Sequence, residues 1–267
     1  MKWITSGDNQ IYKITAQLKQ KKYRDKLEKY VIEGPNLISE ALQNNGKIEW
    51  IIRSADFDWE AVKNAESLNG EIPPVAGMSS DLFCKLTDTE TPQGVLAVVH
   101  KKVYTEKEFF ESGRSGSNVI VLDRLQDPGN IGTILRTADA AGYMGAILMK
   151  GTGDVYSPKV VRAAAGSLFR LPVLLVDSPE EALDLLKKYD KQIICTTPNC
   201  DRYFYDIDFS SNIALIIGNE GNGACEGFLN HSDYNVKIPM EGNVESLNAA
   251  VSAGILMFES VRQNFRE

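Results

Sequence analysis

Apolar residues follow two regimes along this chain. Up to about residue 100 they come in short, mixed runs; beyond residue 118 they form strand-length blocks, apolar almost throughout, separated by helical spacing. In the first regime a helical pattern covers residues 8–29, and Tyr30-Val-Ile-Glu-Gly-Pro-Asn leads into a helix near 35–44. Strand-like runs occupy 48–53 and 95–100, with helical segments between them, so residues 1–110 are expected to form a small α/β domain. In the second regime strands are predicted at 119–123, 145–149, 173–176, 192–196 and 213–217. Helices are predicted at 130–141 and 179–189, with a long final helix from Ser246 to Asn264. Strands that are apolar on both faces fit a parallel sheet covered by helices. Ser178-Pro-Glu-Glu marks a helix start, with Ser178 as cap and Pro179 at the first position. Residues 111–118, Glu-Ser-Gly-Arg-Ser-Gly-Ser-Asn, are polar and aperiodic and read as a linker, leaving 119–267 as a second domain.

Composition narrows the class. With 267 residues, 43% hydrophobic and 24% charged, the chain has ordinary globular content. No apolar run reaches the roughly 18 residues of a membrane span, and Met1-Lys-Trp-Ile-Thr-Ser-Gly-Asp lacks the apolar core of a secretion signal, so a soluble cytoplasmic protein is expected. Cys84, Cys195, Cys200 and Cys225 have no metal-site spacing, and His100 and His231 are the only histidines; neither a disulfide framework nor a metal is expected. The net charge is −7, yet residues 1–53 carry ten Lys/Arg against six Asp/Glu. Lys19, Lys21, Lys22, Arg24 and Lys26 form the candidate basic patch, either a phosphate-binding surface or a solvated helix face.

Three segments of the second half are poorly explained by packing. In Asp127-Pro-Gly-Asn-Ile-Gly-Thr-Ile-Leu-Arg-Thr, a turn follows a strand; Asn130 can cap the next helix, and Arg136 is expected almost two turns on, roughly above that cap. An anion held there could meet free N–H groups and a guanidinium. Ile217-Gly-Asn-Glu-Gly-Asn-Gly-Ala ends an apolar strand, with Gly218, Gly221 and Gly223 free to turn or to admit a ligand closely and Glu220 the only charge. It is neither a phosphate loop nor a dinucleotide fingerprint. In Val236-Lys-Ile-Pro-Met-Glu-Gly-Asn-Val-Glu-Ser-Leu-Asn, a short strand ends at Pro239, Ser246 is the candidate cap of the last helix, and Asn248 sits among its free N–H groups.

These segments, in this order, resemble motifs one, two and three of the SpoU (TrmH) branch of the SPOUT methyltransferases: Asn130 and Arg136, then the loop around Glu220, then Ile238-Pro239 with Ser246-Leu247-Asn248. The first half resembles that family's substrate-binding domain, similar to a ribosomal-protein fold, through Tyr30-Val-Ile-Glu-Gly and Glu40-Ala-Leu. The resemblance implies a parallel α/β sheet with a deep trefoil knot, a homodimer, and S-adenosyl-L-methionine bound near Thr196, Thr197, Gly218, Asn219, Ile238, Pro239 and Leu247. It implies methyl transfer to an RNA ribose 2′-hydroxyl, with Arg136, Asn130, Glu220, Ser246 and Asn248 as the catalytic set. The long N-terminal domain favours ribosomal RNA. Alternatives are a transfer-RNA ribose methyltransferase, a base methyltransferase, a non-catalytic RNA-binding protein on the same scaffold and, from another class, a nucleotide-dependent oxidoreductase, which the missing fingerprint disfavours.

Overall fold

The computed structural model describes residues 2–58, 62, 73–111, 117–244 and 246–265. Most of the expected linker (112–116) lies outside the described residues, as do 59–61 and 63–72, where part of a predicted helical stretch falls. The elements begin with β1 (Lys2–Ile4), α1 (Gln10–Gln17), α2 (Lys21–Leu27), β2 (Lys29–Glu33), α3 (Pro35–Gln43), β3 (Ile48–Ser54), β4 (Val75–Met78), α4 (Ser80–Cys84) and β5 (Val95–His100). They continue with α5 (Glu106–Phe110), β6 (Val119–Leu122), α6 (Pro128–Ala140), β7 (Gly145–Met149), α7 (Pro158–Ala164), β8 (Val173–Val176) and α8 (Pro179–Lys188). The last are β9 (Gln192–Thr196), β10 (Ile213–Ile217), α9 (Glu226–His231), β11 (Tyr234–Val236) and α10 (Ala249–Asn264). They form two compact units: Met1–Lys102 with Asp154–Phe169, and Val103–Gly153 with Arg170–Glu267.

The first unit is built on a mixed sheet ordered β1-β4-β3-β5-β2. Strand alternation divides β5 between two cores. Val95, Ala97 and Val99 pack with Ile32, Ile38, Ala41 and Val161 of α7, while Leu96 and Val98 pack with Ile4, Leu18, Trp50 and Met78. The expected single helix over 8–29 is two helices. The break at Leu18–Gln20 frees carbonyls that Arg24 recovers, its Nη1 donating to Leu18 O and Lys19 O at 2.7 Å each. The same guanidinium grips Asp154 Oδ2 at 2.6 and 3.0 Å, and Arg24 is buried at 4% exposure.

The second unit carries a six-stranded sheet ordered β11-β9-β10-β6-β7-β8, all of whose pairings are parallel. Every residue of β6, β7 and β10 is buried, the physical counterpart of their unbroken apolar runs. The chain leaves β6 toward β7 on one side, while β10 flanks β6 on the other. The connections that leave the carboxyl ends of two strands at such a reversal run in opposite directions, and a crevice is left between them. Two predicted helix starts move. Asp127, not Asn130, caps α6, with Pro128 in the first turn, and Asn248, not Ser246, caps α10. The side chain that reaches the free N–H groups lies three residues before the one expected in α6 and two residues after it in α10.

Candidate active site

The site grows from the carboxyl ends of β6 and β10. Asp123, 1% exposed, takes the Cys225 N–H at 2.7 Å on Oδ2 and the Arg124 Nε–H at 2.8 Å on Oδ1, tying the loop after β10 to the end of β6. Asn219 organises that loop. Its Nδ2 donates to Arg124 O at 2.8 Å, and its Oδ1 accepts the N–H groups of Gly221 and Asn222 at 3.0 Å each. Its backbone pairs with Gly223 in both directions, at 3.0 and 2.9 Å. The turn requires glycine at two places. Gly223 has φ of +68°, and a Cβ on Gly218 would lie 2.0 Å from Ala224 N. The glycines therefore first serve the loop's own close backbone approach.

Glu220 sits at the tip of this loop and faces the start of α6. Its carboxylate accepts the Gln126 N–H at 3.2 Å, the Asp127 N–H at 3.1 Å and Asn130 Nδ2 at 3.2 Å. Burial pushes its pKa upward, but this is outweighed by its own backbone N–H and by donation from Asn130, Gln126 and Asp127, so the carboxyl stays below its usual range. Asn130 is buried, and its Oδ1 accepts Asn248 Nδ2 at 2.9 Å. Asn248 Oδ1 in turn caps α10 through Ala250 N and Val251 N, at 2.9 and 3.3 Å. A continuous chain, Glu220–Asn130–Asn248, thus joins the three segments singled out in the sequence. Because Glu220 can only accept, Asn130 must turn its amide N–H toward it and its oxygen toward Asn248.

The other candidates fall around this chain. Thr196 Oγ1 donates to Ile216 O at 3.0 Å, and Thr197 N to Val236 O at 3.0 Å, which sets Thr196-Thr197 beside the backbone running to Ile238 and Pro239. Ile238 and Leu247 are half-buried; Pro239 and Ser246 are exposed. Arg136 is not part of the cluster. Six residues turn a helix by about 240° beyond a full circle, so Asn130 faces inward while Arg136 is exposed, in correction of the stacked placement expected. Arg136 makes no hydrogen bond or ion pair among the described residues. The basic patch also needs correction, because Arg24 is buried against Asp154 and presents no charge to solvent. Lys19 pairs with Asp88 at 3.0 Å and Lys21 with Asp25 at 2.6 Å, while Lys22 lies over the Tyr23 ring and Lys26 is exposed. Gln126, Asp127 and Asp123 were missed; an aspartate directly before a first-turn proline was the available signal for Asp127.

The segment holding all three linked residues, 117–258, matches the model of the SpoU rRNA Methylase family. The chain belongs to that family. Residues 9–97 match the MRM3-like substrate binding domain. A curated relative of this SpoU methylase, the 23S rRNA (guanosine(2553)-2'-O)-methyltransferase RlmP of Bacillus subtilis, is 36% identical over 97% of this chain and 98% of its own. Two solved structures are similar over nearly the whole length. The AdoMet-bound rRNA methyltransferase of Sinorhizobium meliloti has 30% identity, a TM-score of 0.87 and coverage of 99% of both chains. The AdoMet complex of the SpoU methyltransferase AviRb from Streptomyces viridochromogenes has 31% identity and a TM-score of 0.85, covering 96% of this chain and 98% of that one. Among the described residues no helix is long and apolar enough to cross a membrane, and no His/Cys/Asp/Glu cluster could hold a metal.

Proposed function

We propose that this chain methylates a ribose 2′-hydroxyl of ribosomal RNA, with S-adenosyl-L-methionine as donor. The Glu220–Asn130–Asn248 chain carries the reading, because it locks together the three motif loops at the carboxyl edge of the sheet. The donor set fits such a cofactor. Ile238 and Leu247 offer half-buried apolar side chains, and their backbone polar groups make no hydrogen bond among the described residues, leaving them to a ligand. Thr196, Thr197, Gly218, Asn219, Ile238, Pro239 and Leu247 would hold it. When bound, the donor supplies an activated methyl carbon to an oxygen in line with it.

The chain's own residues contribute position and charge. A ribose hydroxyl must lose its proton near the transition state. Glu220 is a poor acceptor because three donors already hold its carboxylate and keep its pKa below the usual range. Arg136 would clamp the neighbouring phosphate through its planar guanidinium and steady the developing oxyanion. The proton would leave through water or a phosphate oxygen. Ser246, exposed beside the α10 cap, would touch substrate.

The same reading includes a deep trefoil knot formed by the C-terminal segment, a homodimer, and a cytoplasmic site of action with the ribosome. The dimer is supported by Val251, Ile255 and Phe258, which recur at helical spacing on α10 and are 51%, 37% and 48% exposed. Arg136 would then serve the partner's cofactor. The substrate-binding match at 9–97 and the 23S rRNA relative favour ribosomal over transfer RNA. The test combines titration calorimetry with S-adenosyl-L-methionine and mass spectrometry of nucleosides from ribosomal RNA of cells with and without the protein. Loss of one 2′-O-methylated nucleoside is expected. A cofactor titration with no heat, or an unchanged nucleoside profile, would refute the reading.

A further inference from the structure

The loop between β9 and β10 holds Arg202-Tyr-Phe-Tyr, the one place where three aromatic residues adjoin in this sequence, and methyl transfer as described uses none of them. The loop is anchored. Tyr203 bridges to Lys237, Phe204 N donates to Lys237 O at 3.1 Å, and Lys237 N to Arg202 O at 3.0 Å. Asp206 closes the turn, accepting the Tyr203 N–H at 3.3 Å. The aromatic segment is therefore fastened to the backbone that runs directly into Ile238 and Pro239.

On this frame the Tyr203 and Tyr205 rings stack, with centroids 5.4 Å apart and planes within 17°. Phe204 meets Tyr205 edge-on at 5.2 Å. Lys237 Nζ lies 5.2 Å over the Tyr203 ring, and the Arg202 guanidinium 4.7 Å over Tyr234. Tyr205 nevertheless remains 50% exposed. A core cluster would bury that ring. A preorganised stack ending in a half-exposed tyrosine, with cations beside it, suits an unpaired nucleobase, whose π-face stacks whatever its identity. Asp201, Asp206 and Asp208 share the segment, and the last two hold backbone N–H groups of Tyr203 and Ser210. The local charge is thus mixed. The surface offers stacking first, with Arg202 and Lys237 left for the phosphate flanking the stacked base.

We propose that Tyr203 and Tyr205 form a shelf that receives an unpaired base of the RNA substrate next to the cofactor loops, Tyr205 being the contact ring. That the partner is RNA rests on the methyl-transfer reading; the shelf itself rests on the ring geometry. The experiment uses the full chain, fluorescein-labelled oligoadenylate and oligouridylate, and the variants Tyr205→Ala, Tyr205→Phe and Tyr205→Trp. Tyr205→Ala should weaken oligoadenylate binding about tenfold, the order of one base–aromatic stack, and oligouridylate binding less. Tyr205→Phe and Tyr205→Trp should bind within about twofold of the parent, because stacking needs the ring and not the hydroxyl. Cofactor affinity should be unchanged in all three. Tyr205→Ala binding as tightly as the parent, or losing cofactor affinity instead, overturns the shelf. A parent that binds these oligonucleotides without methylating ribosomal RNA removes the methyl-transfer reading, and the variant ratio still decides the shelf. A parent that binds neither oligonucleotide overturns the shelf while leaving cofactor binding and ribosomal-RNA methylation to be judged separately.

Discussion

Replacing Asn130 by Asp tests the three-loop lock with almost no change of shape. The oxygen that accepts from Asn248 remains, but the donor toward Glu220 becomes a second carboxylate oxygen about 3.2 Å away. At that distance two unit charges repel by about 5 kcal/mol at an effective dielectric of 20 and about 1 kcal/mol in water. Glu220 is solvent-exposed, so the lower end applies, about 1–2 kcal/mol. The lost hydrogen bond, long at 3.2 Å and made to an exposed carboxylate, adds about 1 kcal/mol. Asn130→Asp should therefore cost roughly 2–3 kcal/mol at pH 8, or about 4–12 °C in Tm for a chain of this size. Two carboxylates at this separation raise one pKa, and a shared proton restores a hydrogen bond. The deficit should shrink as pH falls toward about 5.5, a range in which the parent changes little because Glu220 itself is held below its usual pKa. Scanning calorimetry and cofactor titration at the two pH values measure both effects. A variant as stable as the parent at pH 8, or one whose deficit ignores pH, would show that the Glu220–Asn130 contact does not hold the loops.

Gly218→Ala should lower stability by about 3 kcal/mol or more, since backbone rather than a movable side chain occupies the Cβ position; a Tm within a few degrees of the parent would disprove the close approach. Arg24→Ala strips the largely covered Asp154 carboxylate of its partner and should cost about 3 kcal/mol, whereas Lys26→Ala should shift urea unfolding by less than about 0.5 kcal/mol; equal effects would contradict the burial of Arg24. Arg136→Lys should reduce turnover by about two orders of magnitude while leaving cofactor affinity intact, because an ammonium cannot reproduce a bidentate clamp; full activity would remove Arg136 from the mechanism. Ile255→Asp with Phe258→Asp should give a folded monomer in sedimentation velocity, and a surviving dimer would move the interface elsewhere.

The parallel sheet was legible because strands buried on both faces must be apolar throughout, and β6, β7 and β10 carry that signal in every residue. β1 and β4 were not, since three or four residues are too few to establish an alternation. The chemistry-bearing loops stood out by residue type, but their wiring did not. Asn130 looked like a cap because asparagine commonly is one. Its partners lie 90 and 118 residues away in sequence, and local spacing carries no trace of them. Arg24 illustrates the same blindness, because its neighbours in the lysine-rich stretch look equivalent until Asp154, 130 residues on, arrives to bury it.

The membership of Asp154–Phe169 in the first unit has a practical corollary for anyone who would divide this chain. The polypeptide passes between units at three places, so the halves are interleaved rather than strung in series. A fragment beginning near residue 118 would carry Val161 without Tyr30, Ile38 and Ala41 to cover it, and Asp154 without its guanidinium. Exchanging the first hundred residues with those of a relative, to transplant RNA preference, would fail in the same way unless 154–169 travelled with them. The transplantable module is two stretches of sequence, not one.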